Sequence, residues 1–170
     1  MFRLLILAAI VLVGAPPASA DRYSDCAQSA DPDRRIRGCT QILKRGKREG
    51  RRSRHAAHYN RGISYARKGQ YDRAIADYDQ AIKINPRDAM VYYNRGLAYH
   101  NKGQYDRAIA DYTKAIEINP RDAMVYTNRG IAYEEKKLRD KAIADYRAAL
   151  KVAPSSDWTR KALKRLGVEP

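Results

Sequence analysis

The sequence predicts an all-α fold: an α-solenoid of three tandem 34-residue helix-turn-helix units, with a capping helix at each end. Three observations carry this. The stretch KGQYDRAIADY at Lys68–Tyr78 recurs letter for letter at Lys102–Tyr112, and a weaker copy, KLRDKAIADY, ends at Tyr146. Pro86, Pro120 and Pro154 close each copy at the same 34-residue interval. Within a copy, apolar residues such as Ala108, Ile109, Tyr112, Ala115 and Ile116 recur at the spacing of one helix face.

The first twenty residues stand apart from this pattern. Arg3 supplies a basic start, Leu4–Val13 is apolar, and Ala18-Ser19-Ala20 is a small-residue cleavage site, so residues 1–20 read as a secretory signal peptide cut after Ala20. The apolar run is shorter than the roughly twenty residues a bilayer span needs. An exported protein is expected, periplasmic or secreted if the source is bacterial.

Residues 21–46 form an N-terminal cap. Asp31-Pro32 has the pattern of an N-cap with proline at the first helical position. Ile36, Cys39, Ile42 and Leu43 then recur at helical spacing. The two cysteines, Cys26 and Cys39, pair as an expected disulfide in an oxidising compartment, with two buried free thiols as the competing reading. The basic run that follows includes Lys44, Arg45, Lys47, Arg48, Arg51, Arg52 and Arg54. Residues 47–54 read as a polar connector, with an anion-binding patch as the alternative.

The units are 53–86, 87–120 and 121–154. In the second, a helix is expected from about Ala89 to Lys102, ended by Gly103, and another from about Tyr105 to Ile118, stopped by Asn119-Pro120. Gly62, Gly96 and Gly130 lie mid-helix, where glycine costs about 1 kcal/mol against alanine. A close helix approach accounts for them, with Ala74, Ala108 and Ala142 as the expected facing residues. Tyr65, Tyr99, Tyr133 and Tyr78, Tyr112, Tyr146 are expected to fill gaps between neighbouring units. Asp72, Arg73 and Asp77 read as a solvated face. In the third unit Lys137 replaces the turn glycine. Residues 155–170 give a C-terminal capping helix with Trp158, Ala162, Leu163 and Leu166 on one side; an exposed, ligand-contacting Trp158 is the alternative.

These units resemble tetratricopeptide repeats. That family's glycine falls on Gly62, Gly96 and Gly130, its following tyrosine on Tyr65, Tyr99 and Tyr133, its alanine on Ala74, Ala108 and Ala142, and its second aromatic on Tyr78, Tyr112 and Tyr146. The closing prolines match as well. Two slots depart from the pattern. His58, Tyr92 and Tyr126 stand where the family has Trp, and Arg61, Arg95 and Arg129 where it has Leu. The arginines are expected to lay their stems on apolar surface with their heads in water.

The resemblance implies a scaffold whose first helices line a concave groove. Carried onto this sequence, the groove is Tyr59, Ile63, Ala66 and Arg67; then Met90, Tyr93, Leu97, His100 and Asn101; then Met124, Thr127, Ile131, Glu134 and Glu135. The family's chaperone-tail clamp uses asparagines at slots that here hold Ile63, Leu97 and Ile131, so that clamp is not expected. Asn60, Asn94 and Asn128 sit three residues earlier and are expected to bridge adjacent units.

No catalytic constellation is legible. His55 and His58 share a helix face without a third ligand, so no metal site is expected, and no phosphate loop or nucleophile motif occurs, so no cofactor is expected. The expected partner is a protein or peptide. The formal charge of +15 leaves a polyanion or an anionic membrane surface open as an alternative, through the basic run and the C-terminal helix, while export argues against nucleic acid.

Overall fold

The computed structural model describes residues 18–169. The described residues form nine α-helices and one short 3₁₀ turn, with no strand among them. They are α1 (Ala18–Gln28), α2 (Pro32–Lys44), the turn Gly46–Arg48, α3 (Arg51–Arg67), α4 (Tyr71–Ile84), α5 (Ala89–Asn101), α6 (Tyr105–Ile118), α7 (Ala123–Glu135), α8 (Arg139–Val152) and α9 (Asp157–Arg165). Each helix packs chiefly on its neighbours in sequence, and α3 also touches α5, as α5 touches α7. This is the contact pattern of a solenoid, in which local units stack one on the next.

Local chemistry sets the helix boundaries. The Asp31 carboxylate accepts from the Asp33 amide at 2.9 Å, and Asp88 and Asp122 accept from the amides of Met90 and Met124 at 3.0 Å. Ser156 does the same for Thr159. Gly69 and Gly103 end α3 and α5 with φ of 70°. Lys137 occupies the same left-handed position after α7 with φ of 60°, where a side chain is strained.

The core is a chain of clusters, each closed by the next unit. Ala74, Tyr78 and Ala81 of the first unit bury against Val91 and Ala98 of the second. Ala108, Tyr112 and Ala115 of the second bury against Val125 and Ala132 of the third. Ala142, Ile143 and Tyr146 of the third bury against Ala162 and Leu163 of α9. No unit covers its own apolar face, which is why α9 is needed.

The mid-helix glycines face tyrosine rings, not the alanines expected. A Cβ on Gly96 would lie 2.7 Å from Cε1 of Tyr112, and Gly62 and Gly130 stand in the same relation to Tyr78 and Tyr146. These tyrosines therefore fill space inside their own units. The second-helix alanines are small because the next unit packs on them. At the N-terminal end, Gly38 lets α2 approach α1 so closely that a Cβ would meet the Arg22 carbonyl at 2.8 Å.

The Cys26–Cys39 disulfide is present and joins α1 to α2. The expected signal peptide falls almost wholly outside the described residues; the described chain begins in α1 at Ala18. No described helix is long and apolar enough to cross a membrane. The basic connector is shorter than expected. Lys44 ends α2, and Arg51–Arg54 form the first turn of α3. Glu49, the one acid in that run, is buried; it accepts from the Tyr23 hydroxyl at 2.6 Å and pairs with Arg45.

Candidate functional site

The inner helices α3, α5, α7 and α9 lie side by side. Asn94 of α5 donates to the Tyr59 hydroxyl of α3 at 3.1 Å, and Asn128 of α7 donates to the Tyr93 hydroxyl of α5 at 3.1 Å. Both asparagines also donate to a carbonyl one turn back, Met90 and Met124. The expected bridging role is therefore seen for Asn94 and Asn128. Arg165 of α9 donates to Glu134 of α7 at 2.7 Å, which continues the series.

Between α3 and α5 lies an open cavity of about 440 Å³. Seven of the groove residues named from sequence line it: Tyr59, Ile63, Ala66, Arg67, Met90, Leu97 and Asn101. Its floor includes the buried Tyr78. The wall is mainly apolar, with polar atoms at Arg67, Asn94 and Asn101. Such a mixture binds through apolar area and orients through a few hydrogen bonds.

The remaining groove candidates do not gather there. Tyr93 is buried, tilted on Tyr112 with its hydroxyl held by Asn128. His100 stacks edge-on to Tyr105 at 5.3 Å. In the third unit, Thr127 donates to the Ala123 carbonyl and Ile131 packs on the core beneath α9. Glu134 accepts from both Tyr146 and Arg165, so the acidic edge expected from Glu134 and Glu135 reduces to the exposed Glu135. Met124 is exposed on the same helix.

The largest departure from the sequence reading concerns the arginines in the leucine slots. Their heads are not in water. Arg61, Arg95 and Arg129 each grip a buried aspartate with two parallel N–H donors: Asp77, Asp111 and Asp145, at 2.7–2.8 Å. The aspartates are only 4%, 6% and 5% exposed, so Asp77 is not part of a solvated face. Each guanidinium also reaches back to the preceding outer helix, donating to Thr40, Asp79 and Thr113 in turn. One side chain thus fastens both the helix pair and the unit interface, as a planar five-donor fork allows. The signal was an Arg–Asp pair sixteen residues apart in every unit.

The three forks differ in their third partner. Burial pushes the Asp77 carboxyl up, but Arg61 and His58, whose Nδ1 lies 2.9 Å away, outweigh it and hold it below its ordinary value. Burial pushes Asp111 up; Arg95 opposes this while the charge of Asp79 adds to it, and the carboxyl stays raised. Burial works against the Arg95 charge, yet Asp111 and Asp79 together hold it above its ordinary value.

The basic run is partly engaged. Arg45 pairs with Glu49, and Arg51 donates to the Ile84 carbonyl at the end of α4. Among the described residues, Lys44, Lys47, Arg48, Arg52 and Arg54 carry no ion pair. His55 faces Asp88 and His58 faces Asp77, so the two imidazoles serve separate carboxylates. Among the described residues no group of three or more His, Cys, Asp or Glu could hold a metal ion.

Family models described as TPR repeat and Tetratricopeptide repeat match residues 64–103, 89–122 and 111–151. No curated protein matches the chain in sequence. Among solved structures, the TPR domain of Arabidopsis OM64 is 32% identical, superposes with a TM-score of 0.66, and covers 69% of this chain and 97% of its own. The second TPR domain of human RPAP3, solved in complex with the HSP70 peptide SGPTIEEVD, is 24% identical with a TM-score of 0.66, covering 71% of this chain and 100% of its own. MamA of Desulfovibrio magneticus RS-1 is 22% identical with a TM-score of 0.76, covering 88% and 81%. The last two likenesses show the fold alone. The period, the tyrosine-on-glycine packing and the OM64 likeness agree, and the chain belongs to the tetratricopeptide repeat family.

Proposed function

We propose that this protein is an exported, non-catalytic scaffold that holds a peptide or helix of a partner protein in the groove along α3, α5, α7 and α9. The observation that carries this reading is the apolar cavity between α3 and α5, where Ile63, Ala66, Met90 and Leu97 face open space. Methionine at such a wall adapts its shape to different side chains. RPAP3 domains of the same fold are solved with short peptides bound, which supports a peptide occupant here. Their chaperone peptides are not carried over, because Ile63, Leu97 and Ile131 stand at the clamp slots.

Export rests on the leader pattern at residues 1–20 and is supported by the disulfide, a bond kept in oxidising compartments. The test is a photoreactive residue at Leu97, introduced in intact cells. Capture of one discrete partner is the expected result. Capture from Arg52 with none from Leu97 would instead favour the basic-patch reading. That reading predicts affinity falling steeply with log salt, as counterions are released.

A further inference from the structure

The array has two edges, and they carry charge differently. Packed neighbours joined by short connections run antiparallel. The connections leading into α3, α5, α7 and α9 therefore lie along one edge, and those leading into α4, α6 and α8 along the other. Arg51 donates to the Ile84 carbonyl and His55 faces Asp88, which sets the first two connections of the former edge side by side. On the latter edge charges pair off across units: Lys68 with Asp33, Lys102 with Asp72 and Lys136 with Asp106. On the former, the acids are already engaged. Glu49 is buried against Arg45, Asp88 and Asp122 cap α5 and α7, Glu117 pairs with Lys114, and Asp157 with Arg160. Lys47, Arg48, Lys83, Arg87, Arg121 and Lys151 are exposed there, with no carboxylate partner among the described residues.

Apolar side chains stand among these cations. Met90, Met124 and Trp158 sit second in α5, α7 and α9, and Val152 ends α8. They are 44%, 58%, 49% and 38% exposed. Met90 also lines the cavity between α3 and α5, and Trp158 packs edge-on to Tyr146 at 5.8 Å while half of it stays in water. Single exposed apolar residues are ordinary on any surface, whereas several gathered on one basic edge mark a place of contact.

The mixture of the two kinds of side chain selects the partner. A soluble polyanion would neutralise the lysines and arginines and leave Met124, Val152 and Trp158 in water. A bilayer surface takes both, with phosphates at the level of the cationic heads and an apolar boundary just beneath them. An indole, apolar with one N–H, is suited to that boundary. We infer that this edge docks on an anionic phospholipid surface. Lys47, Arg48, Lys83, Arg87, Arg121 and Lys151 then meet lipid phosphates, and Met124, Val152 and Trp158 dip below them. The inference draws on all four connections, not on the basic run alone. Of its residues only Met90 borders the cavity, so it stands apart from the groove reading.

The experiment is sedimentation of the full chain with vesicles of phosphatidylcholine, or of phosphatidylcholine and phosphatidylglycerol in equal parts. Every variant keeps residues 1–20, so any pull of the apolar run Leu4–Val13 on lipid is common to all and is read on the neutral vesicles. The parent is expected to bind the anionic vesicles at least about tenfold more tightly than the neutral ones. The triple variant Lys83→Glu, Arg87→Glu, Arg121→Glu should cut that preference by at least about tenfold. A matched variant, Arg73→Glu, Arg107→Glu, Lys141→Glu, changes net charge equally on the opposite edge. It should cut the preference by less than about threefold, because a 14-residue helix sets the edges about 20 Å apart, beyond a Debye length. Circular dichroism melts check that both variants fold, and Lys83→Gln, Arg87→Gln, Arg121→Gln repeats the test without reversed charge. Equal losses from the two edges would reduce the binding to net charge and overturn the inference, as would equal binding of the parent to both vesicles. Trp158, the only tryptophan, should shift its emission to the blue on anionic vesicles, and Met124→Ser should weaken that binding about threefold. Unchanged emission from bound protein, with Met124→Ser binding as the parent does, would assign the edge to a soluble polyanion instead.

Discussion

The arginine forks make a graded prediction, because the three are alike except in what remains when the aspartate is removed. Asp145→Ala strips Arg129 of both its carboxylate hydrogen bonds and leaves it the Thr113 hydroxyl, with the Tyr126 and Tyr133 rings about 6 Å away. The guanidinium is then a half-desolvated charge without a counter-ion, a loss of about 3–5 kcal/mol. Asp111→Ala leaves Arg95 still paired with Asp79 at 2.5 Å, so the loss is nearer to one charged hydrogen-bond pair, about 1.5–3 kcal/mol. Asp77→Ala leaves Arg61 only the Thr40 hydroxyl and takes the carboxylate from His58, so it belongs with Asp145. Urea midpoints would be followed by circular dichroism for the whole array and by Trp158 fluorescence for its C-terminal end. The expected order is Asp145 and Asp77 costly, Asp111 mild. If Asp111→Ala costs as much as Asp145→Ala, the shared-partner argument is wrong. If all three fall within about 0.5 kcal/mol of the parent, in the range of ordinary surface changes, the forks are not structural.

Further outcomes follow from the turns, the disulfide and the carboxylates. Lys137→Gly should stabilise the third unit by about 0.5–1 kcal/mol, because glycine adopts φ of 60° without strain; a lower melting temperature would refute this. Gly96→Ala should cost about 1–3 kcal/mol by thermal melting, since its Cβ must displace the Tyr112 ring from 2.7 Å; a neutral result would mean that the ring gives way freely. Reduction of Cys26–Cys39 should expose two alkylatable thiols and loosen α1, with a loss of about 3 kcal/mol confined to the cap; hydrogen exchange unchanged in α1 and α2 would count against it. Asp77 is depressed in the fold, so it contributes stability above its unfolded value of about 3.9, and that contribution is lost as pH falls through the lower folded value. Asp77→Asn should therefore flatten the acid limb of the stability profile, and an unchanged limb would show that other carboxylates control it.

Much of the fold was legible because repetition states the same instruction three times. Helix ends were readable where one residue type has one use: Asp31 as a cap, Gly103 as the left-handed terminator, Pro120 as the stop. The residues named for a groove are brought together only in part. Residues of α3 and α5 gathered as the family pattern implies, whereas in the third unit Glu134 turned toward Tyr146 and Arg165. That turn depends on α9, a non-repeating segment with no second copy to compare. The arginine forks escaped a reading that assigned faces by helical period, because the period places Arg95 and Asp111 on their helices without stating that the two faces meet. A buried charge pair looks like two surface charges in sequence. The sixteen-residue Arg–Asp spacing, constant in all units, is the feature that distinguishes them.

The repeats also bear on which residues are free to act on a partner. Recurrence by itself points to architecture, and for most recurring polar residues here the architecture is visible. The arginines hold the aspartates; Asn94 and Asn128 tie inner helices; Lys68, Lys102 and Lys136 pair with Asp33, Asp72 and Asp106 across successive units. These bonds satisfy side chains that would otherwise compete for a ligand or for water. Met90, Met124 and Trp158 recur without any such internal bond, and each leaves a large apolar area in solvent. Exposure of that kind gives the free protein no stability, since apolar area stabilises only when removed from water.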